Sequence, residues 1–166
     1  MPHSMQVSKL MTHLNEWPQL KHDTDVRTAI KILRIVSEDK KLEHGHSTPL
    51  VFDDNYKLLG FVHLTDLLKN VRHLCEKADE PCELGKATTP LSELVVSFAG
   101  SVAPEDSILK ALDLMMDHNV SLVPVMKGDR VEGLIKLSDI FNTVAALLFD
   151  EQDPEERHRL LRDFQI

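Results

Sequence analysis

The chain of 166 residues is short of several things at once: it has two cysteines, one tryptophan, one tyrosine and six glycines. It also lacks long apolar runs. A membrane-spanning helix needs about 20 consecutive apolar residues, and the best candidate, Val144–Phe149, stops far below that. The opening Met-Pro-His-Ser-Met has neither a basic start nor an apolar stretch, so no export signal is read and a cytoplasmic location is expected. Cys75 and Cys82 bracket a charged stretch at a spacing unlike the usual zinc-ligand pairs, and they read as reduced thiols. His44 and His46 supply two donors without a third, which describes a solvated loop better than a metal site. No metal is predicted.

Basic residues are scarce as well. Nineteen Lys and Arg face 27 Asp and Glu, a formal net charge of −8 at pH 7. Such a field repels nucleic acid and anionic membrane, and no Lys/Arg cluster offsets it, so neither is expected as a partner. Glycine-rich phosphate loops, nucleophile elbows and paired His–carboxylate motifs are all missing, which argues against an enzyme.

What the chain does have is repetition. GFVHLTD at Gly60–Asp66 returns as GLIKLSD at Gly133–Asp139. DVRTAIKIL (Asp25–Leu33) matches SILKALDLM (Ser107–Met115), each with apolar residues at helical spacing: Val26, Ile30 and Leu33, then Ile108, Leu112 and Met115. Helix-starting residues precede both, Asp23-Thr24-Asp25 and Pro104 through Ser107. TPLVF (Thr48–Phe52) matches VPVM (Val123–Met126), each a short strand opened by a proline. VSKLM (Val7–Met11) matches LSELV (Leu91–Val95). Met11, Met115, Met116 and Met126 fall at core-facing positions.

Each half therefore reads helix, strand, helix, strand, strand, helix, with Thr65 and Ser138 as N-caps of the last helix. The spacing between equivalents falls from 82 residues (Ala29, Ala111) to 75 (Pro49, Pro124) and then 73 (Gly60, Gly133). The first copy thus carries an insertion around Ser37–Glu43, either a longer helix or a charged loop. The organisation expected is repeat 1 over 1–75, a linker over 76–89, repeat 2 over 90–149 and a helical tail over 150–166 whose helix starts after Pro154. A unit of this size buries its apolar faces poorly alone. Two copies packed face to face close a core and create a pseudo-twofold cleft. Strand alternation puts Phe61, His63 and Thr65 on one face of their strand, and Leu134, Lys136 and Ser138 likewise, while Val62, Leu64, Ile135 and Leu137 turn to the core.

Together the pre-helix turns KHDTDV and APEDSI, the run ALDLMMDHNVSLVPVM and the two phrases ending in Asp66 and Asp139 resemble a tandem pair of cystathionine-β-synthase (CBS) domains. The resemblance covers Val7 to about Leu148. It implies an α/β (α+β) fold of two CBS repeats packed sheet to sheet with pseudo-twofold symmetry. It implies a regulatory module, here stand-alone, that binds AMP, ADP, ATP or S-adenosylmethionine between the repeats, forms a homodimer and gates a partner protein. The alternative is a dimerisation or docking module with no bound nucleotide.

In the family phrase the third residue after the glycine is Thr or Ser and the sixth is Asp, and these contact phosphate and ribose. The resemblance therefore assigns ribose to Asp66 and Asp139, although the same carboxylates also suit the first turn of a helix. His63 and Lys136 stand where the family has a hydroxyl. Either they offer charge to a phosphate or they lie on a solvent-facing surface. The adenine pocket, mostly backbone, maps to Leu20, His22, Thr24, Thr48 and Pro49, and to Val102, Pro104, Asp106, Val123 and Pro124, with Val102 and Val123 better read as core.

Overall fold

The computed structural model describes residues 5–38, 48–72, 87–148 and 153–164. The first repeat supplies β2 (Gln19–Lys21), α1 (Val26–Glu38), β3 (Leu50–Phe52), β4 (Leu58–Phe61) and α2 (Leu64–Arg72). The second supplies α3 (Ile108–His118), β5 (Leu122–Lys127), β6 (Arg130–Lys136) and α4 (Leu137–Leu148), followed by α5 (Pro154–Asp163). Capping sets where the helices begin. Asp25 Oδ1 accepts the Thr28 N–H at 2.7 Å, Ser107 Oγ accepts that of Leu109 at 3.2 Å, and Asp153 Oδ1 accepts that of Glu155 at 3.0 Å. α1 is described as far as Glu38, two residues beyond the position equivalent to the end of α3. The rest of the insertion, 39–43, lies outside the described residues, as do Cys75 and Cys82.

The two sheets exchange their outer strands. β1 (Thr12–His13), near the start of the first repeat, pairs antiparallel with β6 of the second, giving a sheet of order β1-β6-β5. The other sheet has the order β2-β3-β4, and Val96, near the start of the second repeat, bridges Phe61 at its edge. The turns upstream cross over in the same way. Val7 and Ser8 donate to the carbonyls of Asp106 and Pro104 at 2.8 and 2.9 Å, while Leu91 and Ser92 donate to those of Thr24 and His22, both at 2.9 Å. VSKLM and LSELV were expected as helices of their own repeats; each is instead a single 3-10 turn seated on the opposite repeat. The turns stop after three residues because the chain must extend at once to reach the other sheet.

This exchange explains the glycine of the repeated phrase. A Cβ on Gly60 would collide with the Val96 carbonyl, and one on Gly133 with the Thr12 carbonyl. Gly60 also has φ +154, a conformation side chains rarely adopt. Both glycines are doorways for the incoming strand of the other repeat.

Three apolar clusters result. Val7 joins Val102, Ile108, Ala111, Met115, Val123, Val125, Ile135 and Ile140 under the second repeat's helices. Leu91 joins Leu20, Val26, Ala29, Val51, Val62 and Leu67 under those of the first. Between the sheets, Trp17, Leu50 and Phe52 meet Val131 and Leu134, bordered by Phe61 and Phe98. The repeats are thus packed sheet to sheet, and each sheet is covered on both faces.

Four local expectations fail. Leu64 and Leu137 do not face the core: they open α2 and α4 and are exposed. Thr65 and Ser138 are therefore second residues of helices rather than caps. The first turn of α2 returns its hydrogen bonds to the His63 carbonyl, from Asp66 at 3.0 Å and Leu67 at 3.3 Å, so His63 holds the capping position without a hydroxyl. Pro124 is third in β5 rather than first; its carbonyl faces the Val102 N–H (3.1 Å), so its missing donor falls on the outer side of β5, where proline is tolerated. Met116 is exposed, because helical spacing turns it away when Met115 is buried.

Candidate functional site

The parallel pairing of β2 with β3 decides which of the sequence-derived site residues meet. Gln19 lies opposite Leu50 and Lys21 opposite Phe52. At one end of this pair the Leu50 N–H donates to Pro18 (2.9 Å) and the Val62 N–H to Pro49 (3.1 Å). Pro18, Thr48, Pro49 and His63 are therefore neighbours. At the other end the His22 N–H donates to Phe52 (2.9 Å), so His22 and Thr24 lie beyond the far end of β3. Three strand residues separate the two groups by about 10 Å. Leu20 is buried in the first repeat's core.

The second repeat is built alike. Lys136 pairs across from Leu122, and the Leu137 N–H donates to Ser121 at 2.9 Å, which fixes the phrase end beside the start of β5. Val102 and Val123 are core, as the sequence suggested, and Pro124 is buried beside them. Pro104 and Asp106 lie past Val102, with their carbonyls taken by Ser8 and Val7. The four carbonyls of His22, Thr24, Pro104 and Asp106 thus all serve the exchanged turns. Asp106 Oδ2 additionally accepts the Ala103 N–H at 2.7 Å and pairs with Lys110 at 3.0 Å. These contacts, Ala103 first, hold its carboxyl below the usual carboxylate range. Asp25 is lowered too, by its hydrogen bonds to Thr28. His22 Nε2, closed off from solvent, stands 3.2 Å from Asp54 Oδ1.

The two phrase ends differ in chemistry. Lys136 Nζ lies 3.5 Å from Asp139 Oδ2, with side chains 25% and 29% exposed. That places an ammonium and a carboxylate together at the first turn of α4, both accessible yet held. In the first repeat Asp66 turns instead to Lys69 at 3.6 Å. His63 is exposed and meets the Phe61 ring edge-on (centroids 5.0 Å), and Phe61 in turn packs on Phe98 at 4.9 Å. One end is a charge pair and the other is aromatic. Phe98 was not anticipated; its signal is its position two residues after Val96, the residue exchanged into the first sheet. Among the described residues no group of three or more His, Cys, Asp or Glu is arranged to hold a metal ion. His44 and His46 lie outside them.

This architecture of two exchanged, sheet-packed repeats is that of a tandem CBS pair. The CBS domain profile matches residues 7–73 and 89–146, and the chain belongs to the CBS domain family. An inosine-5'-monophosphate dehydrogenase of Korarchaeum cryptofilum is 29% identical over 63 residues; the match covers 38% of this chain but 13% of that enzyme, so the chain corresponds to a small part of it. A CBS domain-containing protein of unknown function from Bacillus anthracis superposes with a TM-score of 0.64 at 19% identity, covering 86% of this chain and 94% of that one. CBSX2 in complex with AMP superposes with a TM-score of 0.60 at 20% identity, covering 88% and 98%. At these identities the superpositions speak for the fold. No described helix is long and apolar enough to cross a membrane.

Proposed function

We propose that the chain is a regulatory sensor, without catalytic activity of its own, that binds an adenine nucleotide at the phrase ends between its repeats. The observation that carries this reading is the Lys136–Asp139 pair at 3.5 Å. A carboxylate accepts from both hydroxyls of a ribose diol, and an ammonium beside it neutralises phosphate. The AMP bound by a protein of the same fold supports the ligand class. Asp66 is the corresponding ribose acceptor in the first repeat, where His63 and the Phe61–Phe98 pair offer ring contact in place of a fixed cation. Ligand bound at these ends favours one arrangement of the repeats over another, and a partner protein reads the shift in population.

The module acts as a homodimer. Leu64 and Leu68 on α2 occupy positions equivalent to Leu137 and Phe141 on α4, and all four are exposed, Leu68 at 61% and Phe141 at 68%. Two matching apolar stripes related by the internal twofold suit an isologous interface. The same stripes favour the second reading, a docking module with no nucleotide. Thermal unfolding with AMP, ADP, ATP and S-adenosylmethionine separates the two. A ligand at a hundredfold excess over Kd stabilises by about 2.7 kcal/mol; no shift with any of the four at millimolar concentration would leave only the docking reading.

A further inference from the structure

A cavity lies away from the phrase ends, where the hairpin tips of the two repeats meet. It has a volume of about 660 Å³, with Tyr56 from the β3–β4 turn on one side and Lys127, Asp129, Arg130 and Glu132 from the β5–β6 turn on the other, and His13 at its margin. Lys127 and Arg130 are direct cross-strand partners. Like charges in that position repel, and an anion between them removes the repulsion. Among the described residues the side chains of Lys127, Asp129, Arg130 and Glu132 have no ion-pair or hydrogen-bond partner. Two cations and two carboxylates thus face one small space with their charges uncommitted.

Tyr56 adds an independent sign of use. Its φ of 61 is left-handed, a conformation that is an outlier for a bulky side chain. Glycine or asparagine would hold the shape of this turn without strain. The ring is nevertheless fixed: it stacks on Phe52 (centroids 4.7 Å, 13° between planes), and its hydroxyl donates to Gln19 Oε1. One face is supported by Phe52, and the residue remains 63% exposed. Strain retained at a supported, accessible ring marks a recognition surface.

We infer that this cavity binds a free α-amino acid. Lys127 and Arg130 take its carboxylate, Asp129 and Glu132 its ammonium, and Tyr56 the flank of its side chain. Asp129 and Glu132 exclude polyanions, which separates this site from the nucleotide ends. Because both repeats contribute walls, occupancy reports on the same inter-repeat arrangement by a second chemical signal.

The test is thermal unfolding of the full chain against the common free amino acids at millimolar concentration, followed by calorimetric titration of any that shifts Tm. The amine lacking the carboxylate and the acid lacking the ammonium are the controls, each expected to bind at least about tenfold more weakly. Tyr56→Asn tolerates the left-handed backbone and keeps the turn folded, and it is expected to lose amino-acid binding while its response to AMP stays as in the parent. Arg130→Ala is expected to lose binding as well. No Tm shift with any amino acid overturns the proposal. So does binding that survives both substitutions, or an analogue lacking one charge that binds as tightly.

Discussion

Lys136 and Asp139 stand 3.5 Å apart at the first turn of α4, whereas at the equivalent positions of the first repeat His63 faces the Phe61 ring and Asp66 is left to Lys69 at 3.6 Å. The two copies of one phrase thus build different chemistry on the same backbone. Phosphate selectivity should follow Lys136 and not His63. Lys136→Ala is expected to weaken ATP binding by about tenfold or more and adenosine binding little, since a charge-assisted hydrogen bond contributes about 1.5–3 kcal/mol. Equal losses for both ligands in calorimetric titration would reject the phosphate role.

The glycine doorways make a sharper demand than their small size suggests. Gly60→Ala and Gly133→Ala place a Cβ against the backbone carbonyls of Val96 and Thr12. Each is expected to cost more than the roughly 1 kcal/mol typical of a point substitution, with Gly60→Ala the worse because of its φ of +154. Urea unfolding measures it; a midpoint unchanged at both sites would mean that the strands are not exchanged as described.

Leu91 is fully buried, and it packs in the core of the first repeat rather than its own. Leu91→Ala should destabilise by about 2–5 kcal/mol and loosen α1 and α2 as well as the second repeat. Hydrogen exchange resolves the two: protection lost only after residue 90 would contradict the exchange of turns.

How much of this was legible in the sequence depends on which interaction decided each feature. Local signals were readable because they act locally: the helix-starting stretches that contain Asp25 and Ser107, the buried faces of α1 and α3, and the core roles of Val102 and Val123 all came from residue type and spacing. The exchange of β1 and the Val96 segment was not readable, since a strand carries no mark of which sheet it joins; its one trace was the pair of glycines. The residues expected around adenine are set apart for a related reason. Residues following β2 run parallel to β3, and so His22 and Thr24 leave the end where Thr48, Pro49 and His63 gather. Thr65 and Ser138 looked like caps because their hydroxyls suit the role, yet the backbone turned one residue earlier than their chemistry implied.

Acid sensitivity should concentrate at the helix starts. Asp25 and Asp106 are both lowered from the ordinary value of 3.8, by Thr28 and by Ala103 with Lys110 respectively. A carboxyl lowered in the folded state adds stability above its unfolded value, and that contribution is lost as pH falls below about 3.8 toward the folded value. Asp25→Asn and Asp106→Asn should therefore be destabilising at pH 7 and flatten the acid limb of a stability–pH curve. An acid limb as steep as the parent's in the double variant would contradict the assignment.

The central claim is tested most directly by titrating AMP into the parent chain and into Asp139→Ala under one set of conditions. The account predicts saturable binding by the parent and a loss of at least about tenfold, near 1.4 kcal/mol, when the carboxylate is removed, with the unfolding temperature in the absence of ligand nearly unchanged. Unaltered affinity in Asp139→Ala, or no binding by the parent at millimolar AMP, would contradict it.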